Sequence, residues 1–229
     1  MSKRSASMLG DACKTTKQPR HWSLGLLGSM KDPELIVKQS DRVVIIRDKY
    51  PKAKVHYLIL PQEDINSIYN LNKSHISLLE EFGDFYEELK EDHQGTTLRA
   101  GFHAVPSMQR LHMHVISTDM ISPCLKTKVH WNSFVTKNFI PYKGNELKEN
   151  GSIQKISNEA HKTLMAMDLQ CNQCNFKPKN MPQLKEHLFS HAVGLGILVV
   201  WVFLYVIWGA IYLKKPIFYI LNCTLFIAK

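Results

Sequence analysis

The stretch Gly101-Phe102-His103-Ala104-Val105-Pro106-Ser107-Met108-Gln109-Arg110-Leu111-His112-Met113-His114-Val115-Ile116-Ser117 decides the reading of this chain. Leu98 to Val105 and Leu111 to Ser117 read as two strands, joined by a short loop that holds Pro106 and Ser107. Alternate side chains of a strand share a face, so Arg110, His112 and His114 are expected on one side and Leu111, Met113 and Val115 on the other. One face is then apolar. The other carries nitrogen bases and positive charge, which suits an anionic phosphorus centre. A metal competes for the same face, since neutral imidazoles at i and i+2 ligate zinc or copper. No carboxylate or cysteine stands beside these histidines in sequence, and the next acidic residue is Asp119.

Outward from this segment, Arg42-Val43-Val44-Ile45-Ile46-Arg47 and His56-Tyr57-Leu58-Ile59-Leu60 are β-branched, apolar runs. The polar residues and Pro51 between them suit a turn, so the two form a hairpin. His21 to Leu27 has apolar residues at helical spacing up to the Asp32-Pro33 break, which predicts a short amphipathic helix. After Ser74, read as an N-cap, Ile76, Leu79, Phe82, Tyr86 and Leu89 recur every three or four residues, with acidic residues filling the other side. The order helix, hairpin, long helix, hairpin predicts an α+β fold with a mostly antiparallel sheet.

A chain of 229 residues holds one ordinary domain and a small module. Its net charge of +9 lies mostly outside the C-terminus, where the only charges are Lys214, Lys215 and Lys229. A basic body of this kind favours a polyanionic partner. Of the cysteines at 13, 124, 171, 174 and 223, only Cys171 and Cys174 are meaningfully spaced, which excludes a disulfide framework. Met1 to Arg20 has no apolar h-region and reads as a basic disordered tail or a nuclear import signal, in a reducing intracellular compartment.

Cys171-x2-Cys174-x12-His187-x3-His191 has the spacing of a Cys2His2 zinc finger, with Pro182 near a helix start and Leu184 in a small core. Four protein ligands leave no open position, so one zinc ion here is structural. Lys177, Lys179 and Lys185 are expected to meet phosphates without reading sequence, since one finger covers only ~3 bp. From Ala192 to Leu213, 22 residues carry no charge, and Lys214-Lys215-Pro216 follows. About 20 apolar residues suffice to cross a bilayer, so the tail reads as a transmembrane anchor or as an alternative end of the chain. The expected organisation is a basic tail over 1–19, a catalytic domain over 20–140, a linker or helix over 141–167, the finger over 168–191 and the apolar tail over 192–229.

His112-Met113-His114-Val115 resembles the signature of histidine-triad nucleotide hydrolases and transferases. Gly101 to Ser117 resembles, more closely, the aprataxin family of DNA 5′-adenylate hydrolases. Further matches are Ser122-Pro123-Cys124-Leu125-Lys126, His130-Trp131-Asn132-Ser133-Phe134, Asp48-Lys49-Tyr50-Pro51-Lys52-Ala53, His21-Trp22-Ser23 and the finger. The likeness covers roughly residues 20 to 191. It implies a histidine-triad domain that removes AMP from 5′-adenylated DNA at single-strand breaks in the nucleus, through a covalent AMP-histidine intermediate.

By this resemblance His112 is the nucleophile, His114 binds the phosphoryl oxygens and His103 protonates the leaving group. Ser107 and Lys52 support the nucleotide, and Trp22 stacks against the exposed base pair of a DNA end. The chain departs from the pattern at the first triad position, where Arg110 replaces histidine. A guanidinium stays charged and cannot shuttle protons, but it can bind phosphate. Activity is expected to survive through His103. His130 and Trp131 are expected to support the core. The forkhead-associated domain of some relatives has no counterpart in these residues, so its phosphoprotein docking is not carried over, and other repair proteins remain unspecified as partners. Two alternatives stand beside the hydrolase: a DNA-end-binding module weakened by Arg110, and a membrane-anchored hydrolase of small adenylates.

Overall fold

The computed structural model describes residues 25–142 and 155–192. Six strands form one antiparallel sheet: β1 (Ile36–Gln39), β2 (Val43–Arg47), β3 (His56–Pro61), β4 (Leu98–His103), β5 (Met113–Ser117) and β6 (Phe139–Pro141). Their order across the sheet is β1-β2-β3-β5-β4-β6. The helices are α1 (Gly25–Ser29), α2 (Ile76–Asp92), α3 (Lys128–Val135) and α4 (Asn158–Ala166), followed by α5 over 181–192. The chain divides within α5 into compact units of residues 1–185 and 186–229. An α+β fold with two hairpins is as the sequence predicts, and the central pair β3–β5 sets Leu58 opposite His114.

The two faces of the sheet are sorted by side-chain alternation. Val43 and Ile45 of β2, Ile59 of β3, Ala100 and Phe102 of β4, and Met113 and Val115 of β5 form one core with Leu78, Leu79, Phe82, Phe85 and Leu89 of α2. Burying each large apolar side chain is worth ~1.5–3 kcal/mol, so this stripe fixes α2 on that face. On the opposite face Val44, Ile46, Leu58 and Leu60 pack with Leu26 of α1. That face also carries His56 and His114.

Three local readings are corrected. Ser74 is not the N-cap of the long helix: it lies inside a short 3-10 turn, Lys73–His75, that is capped by Asn72, and His75 is the residue that precedes α2. Asn72 accepts hydrogen bonds from the Ser74 amide and hydroxyl, and its own amide donates to His75 Nδ1, closing a capping box around the turn Lys73–His75 that leads into α2. Second, β5 starts at Met113, so Arg110 and His112 are not strand residues. Their stretch turns away because the amides of Arg110 and Leu111 donate to the carbonyls of Asn66 and Ile65 instead of to β4. Third, Ile36–Gln39, half apolar and half polar, adds an edge strand that no periodicity suggested.

Gly101 lets the sheet continue to β6. A Cβ there would meet the Ile140 carbonyl oxygen at 2.5 Å and the Phe139 ring at 2.6 Å, so no other residue permits this pairing without displacing β6. Among the described residues no helix is long and apolar enough to cross a membrane. The expected span 192–213 lies, apart from Ala192, outside the described residues, as do Trp22 and the basic tail.

Candidate active site and metal centre

Four imidazoles from three strands and one loop converge under α3. The ring centroids of His103 and His114 lie 4.4 Å apart, those of His112 and His114 4.9 Å, and those of His56 and His114 5.2 Å. Phe134 of α3 closes over the group, 4.7 Å from His103, 5.2 Å from His114 and 5.6 Å from His56. Trp131 on the same helix is fully buried and donates to the Gln170 carbonyl, a core role as expected. The helix is capped by Thr127, whose hydroxyl accepts from the His130 amide.

Exclusion of water sets the charge state of the cluster. Burial lowers the His56 imidazole to about 4, with Asp48 opposing and Lys52 and His112 adding to the fall. His103 is lowered to about 3, first by burial and then by the nearby His112, His56, Lys52 and Arg99. His114 lies well below the ordinary range for the same leading reason. His112 is lowered by burial too, while its hydrogen bond to the Arg110 carbonyl works the other way. All four rings are therefore neutral at pH 7.

Neutrality and the hydrogen bonds together fix the tautomers. His112 Nδ1 lies 2.8 Å from the Arg110 carbonyl oxygen. A carbonyl only accepts, so His112 carries its proton on Nδ1 and a lone pair on Nε2. The Lys52 amide donates to His56 Nδ1 at 3.1 Å. His56 then holds its proton on Nε2, which donates to His114 Nδ1 at 2.9 Å. His114 in turn presents Nε2–H. That atom, His103 Nε2 and Arg110 Nε are buried with no hydrogen-bond partner. Buried polar nitrogens left open cost stability unless a ligand meets them, and phosphoryl oxygens are suited to do so.

His56 and Asp48 were missed by sequence reasoning. His56 opens β3, and its ring meets His114 only through the β3–β5 pairing; Asp48 lies in the preceding turn, 3.4 Å from His56 Nδ1. They supply the carboxylate that the local sequence lacks, because Asp48, His56 and His114 bring ligand atoms within 4.8 Å of one another. His56 Nδ1 already accepts from the Lys52 amide, and its Nε2 donates to His114 Nδ1.

Arg110 does not occupy the position expected of it. Its Nη1 donates to Asp64 at 3.0 Å, and its Nη2 reaches the carbonyls of Pro61, Gln62 and Glu63 at 3.0, 2.6 and 3.0 Å. The residue is 7% exposed and has a φ of +89°. Its forked end is committed to the 61–64 segment, so of its guanidinium only the buried, unpartnered Nε–H is left to meet a phosphoryl oxygen. Ser107 is exposed on the loop between β4 and β5. Lys52 is half-buried in the turn before β3, where its ammonium group donates to the Tyr50 carbonyl. A small crevice is lined by Ser67, Ile68, His103, Pro106, Arg110 and His112.

The second site is the finger. Cys171, Cys174, His187 and His191 each bring a ligand atom within 4.8 Å of the others. His187 Nε2 and His191 Nε2 lie 3.0 Å apart, as two nitrogens aimed at one point would. Two sulfurs and two imidazole nitrogens at this spacing fit tetrahedral zinc. Asn180 accepts from the Gln183 amide at the start of α5, and Leu184 and Leu188 are buried. Lys177 and Lys179 are exposed and Lys185 is half-buried.

Residues 21–130 match the family described as scavenger mRNA decapping enzyme C-term binding. Residues 135–193 match the C2HE / C2H2 / C2HC zinc-binding finger, so the chain carries a zinc-binding module. An aprataxin-like protein of Drosophila melanogaster is 46% identical over 174 residues, 74% of this chain and 26% of the fly protein. An aprataxin-like protein of Saccharomyces cerevisiae is 32% identical over 212 residues, 73% of this chain and 94% of the yeast protein. The crystal structure of the aprataxin ortholog Hnt3 in complex with DNA superposes with a TM-score of 0.58 at 25% identity, covering 74% of this chain and 92% of Hnt3. The chain spans about half or less of the animal relatives it matches. From its identity to the yeast protein across nearly all of that protein's length, the chain belongs to the aprataxin family.

Proposed function

We propose that this chain is a DNA repair hydrolase that removes AMP from 5′-adenylated DNA, the product of abortive ligation, at single-strand breaks in the nucleus. The observation that carries this reading is the neutral His112, whose Nδ1–H is held by the Arg110 carbonyl so that Nε2 is left as a nucleophile. His112 Nε2 attacks the phosphorus of the AMP moiety; a nitrogen–phosphorus bond forms, and the bond to the DNA 5′-phosphate breaks. Water then attacks the same phosphorus and releases AMP and His112. Splitting one displacement into two lowers each barrier.

His114 Nε2–H donates to a phosphoryl oxygen, its tautomer set by the chain from the Lys52 amide through His56. His103 is neutral while the site is empty, so it takes up a proton only when the phosphate anions are bound and passes it to the leaving oxygen. Ser107 on its exposed loop caps the phosphate. The catalytic domain spans 20–140 and the finger spans 168–191. The finger holds one structural zinc and, with Lys177, Lys179 and Lys185, adds sequence-independent phosphate contacts; Trp22 stacks on the DNA end. Hnt3 binds DNA in its solved complex, which supports DNA as the partner here.

The test is AMP release by the zinc-loaded chain from nicked DNA bearing a 5′-adenylate, alongside a small adenosine phosphoramidate. The DNA substrate should turn over with the higher kcat/KM. Binding of nicked DNA with no AMP release makes the chain a binding module, and preference for the phosphoramidate makes it a small-adenylate hydrolase.

A further inference from the structure

The residue that departs from the triad is also the most heavily bonded side chain of the site. Arg110 is nearly buried, its φ of +89° lies in the left-handed region, and its guanidinium spans three consecutive carbonyls and Asp64. Its main chain is tied to the same segment, since Arg110 N donates to the Asn66 carbonyl at 3.1 Å and Leu111 N to the Ile65 carbonyl at 2.7 Å. Residues 61–66 are thus stapled to 110–111 by backbone and side chain together. The segment leads into Ser67 and Ile68, which line the same crevice as His103 and His112.

A non-glycine residue at positive φ is costly and persists only where its surroundings enforce it. Here the enforced conformation has one direct product: the Arg110 carbonyl oxygen faces His112 Nδ1. We infer that Arg110 is a positioning residue. Its planar guanidinium anchors the left-handed turn to the 61–64 carbonyls, and the turn aims a carbonyl that locks His112 as the Nδ1–H tautomer. The guanidinium, which cannot act as a triad base, serves as the strut that orients the nucleophile. A lysine could not replace it, since a single ammonium lacks the planar fork that reaches three carbonyls and a carboxylate at once. The kinetic part of this inference rests on the proposed function; the tautomer does not.

The experiment compares Arg110→Ala, Arg110→Gly and Arg110→Lys in the full zinc-loaded chain by two readouts. Long-range proton–nitrogen NMR of the imidazoles should give a single Nδ1–H form for His112 in the wild type and a mixture of tautomers in Arg110→Ala. Glycine accepts positive φ freely, so Arg110→Gly should recover part of the Nδ1–H population. In AMP release, kcat should fall at least tenfold in Arg110→Ala with KM within threefold, and Arg110→Gly should exceed the alanine variant at least threefold. Where Arg110→Ala does not fold, Arg110→Lys carries the same expectation. An unchanged His112 tautomer and unchanged kcat in the alanine or lysine variant overturns the inference, as does a glycine variant no better than alanine. If the wild type released no AMP, the proposed function would fall and the NMR comparison would still decide the role of Arg110.

Discussion

His112→Ala should lower AMP release from 5′-adenylated DNA by on the order of 10^4-fold or more, the scale on which removal of a covalent nucleophile acts. Neighbouring rings cannot substitute. His114 Nδ1 is occupied by His56, and its other nitrogen holds the proton. His103 sits on the adjacent strand with its own unpartnered nitrogen, but no carbonyl among the described hydrogen bonds fixes its tautomer as Arg110 fixes that of His112. DNA affinity should change little in the same variant, because sequence-independent contacts to the phosphate backbone dominate the affinity of proteins for nucleic acid. Rapid-quench measurement of AMP together with nicked-DNA binding separates the two effects. Turnover within tenfold of the wild type would assign the nucleophile to another residue.

Acid should unfold the catalytic domain in a window set by its histidines. His56, His103 and His114 are neutral in the folded chain and lie well below their ordinary range, at about 4 for His56 and about 3 for His103. In the unfolded chain they titrate near 6.5. Between those values the unfolded state binds more protons, so stability is fully present above pH 6.5 and is lost as pH falls. At pH 5 the rings of His56 and His103 each cost ~2 kcal/mol, a large part of the whole margin of many domains, and His114 acts in the same direction.

Asp48 offsets part of the loss by pairing with a protonated His56, while Lys52 and Arg99 add to it. The midpoint of urea unfolding should therefore drop steeply from pH 6.5 to pH 5, before most carboxylates titrate. His103→Asn, which removes one of these protons, should flatten the slope. A midpoint constant from pH 7.5 to pH 5 would mean that the rings are not held neutral.

The same cluster shows where sequence reading stops. The alternation Met113-His114-Val115 locates β5 and sorts its apolar from its imidazole side because a strand's two-residue period is local. The Val43–Leu60 hairpin, the apolar stripe of α2 and the spacing of Cys171, Cys174, His187 and His191 are local in the same sense. His56, Asp48 and Phe134 join the site through strand pairing and helix docking across tens of residues; Asp48 and Phe134 fall in motifs that match the family, but no local pattern sets them beside the histidines. Arg110 shows a subtler failure. Strand alternation assigned its side chain to the phosphate face, but the amides of residues 110 and 111 found acceptors at Asn66 and Ile65. One turn at positive φ then sent the guanidinium to the Pro61–Glu63 carbonyls. The nucleophile was legible from its neighbours in sequence, and the device that orients it was not.

Two displacements at one phosphorus leave its configuration unchanged, whereas a single attack by water inverts it. Hydrolysis of DNA carrying a 5′-adenylate made chiral at the AMP phosphorus with sulfur, in water enriched in heavy oxygen, reads this outcome in the released nucleotide. The double displacement through His112 predicts release with net retention. Inversion, or no release at all, would contradict it.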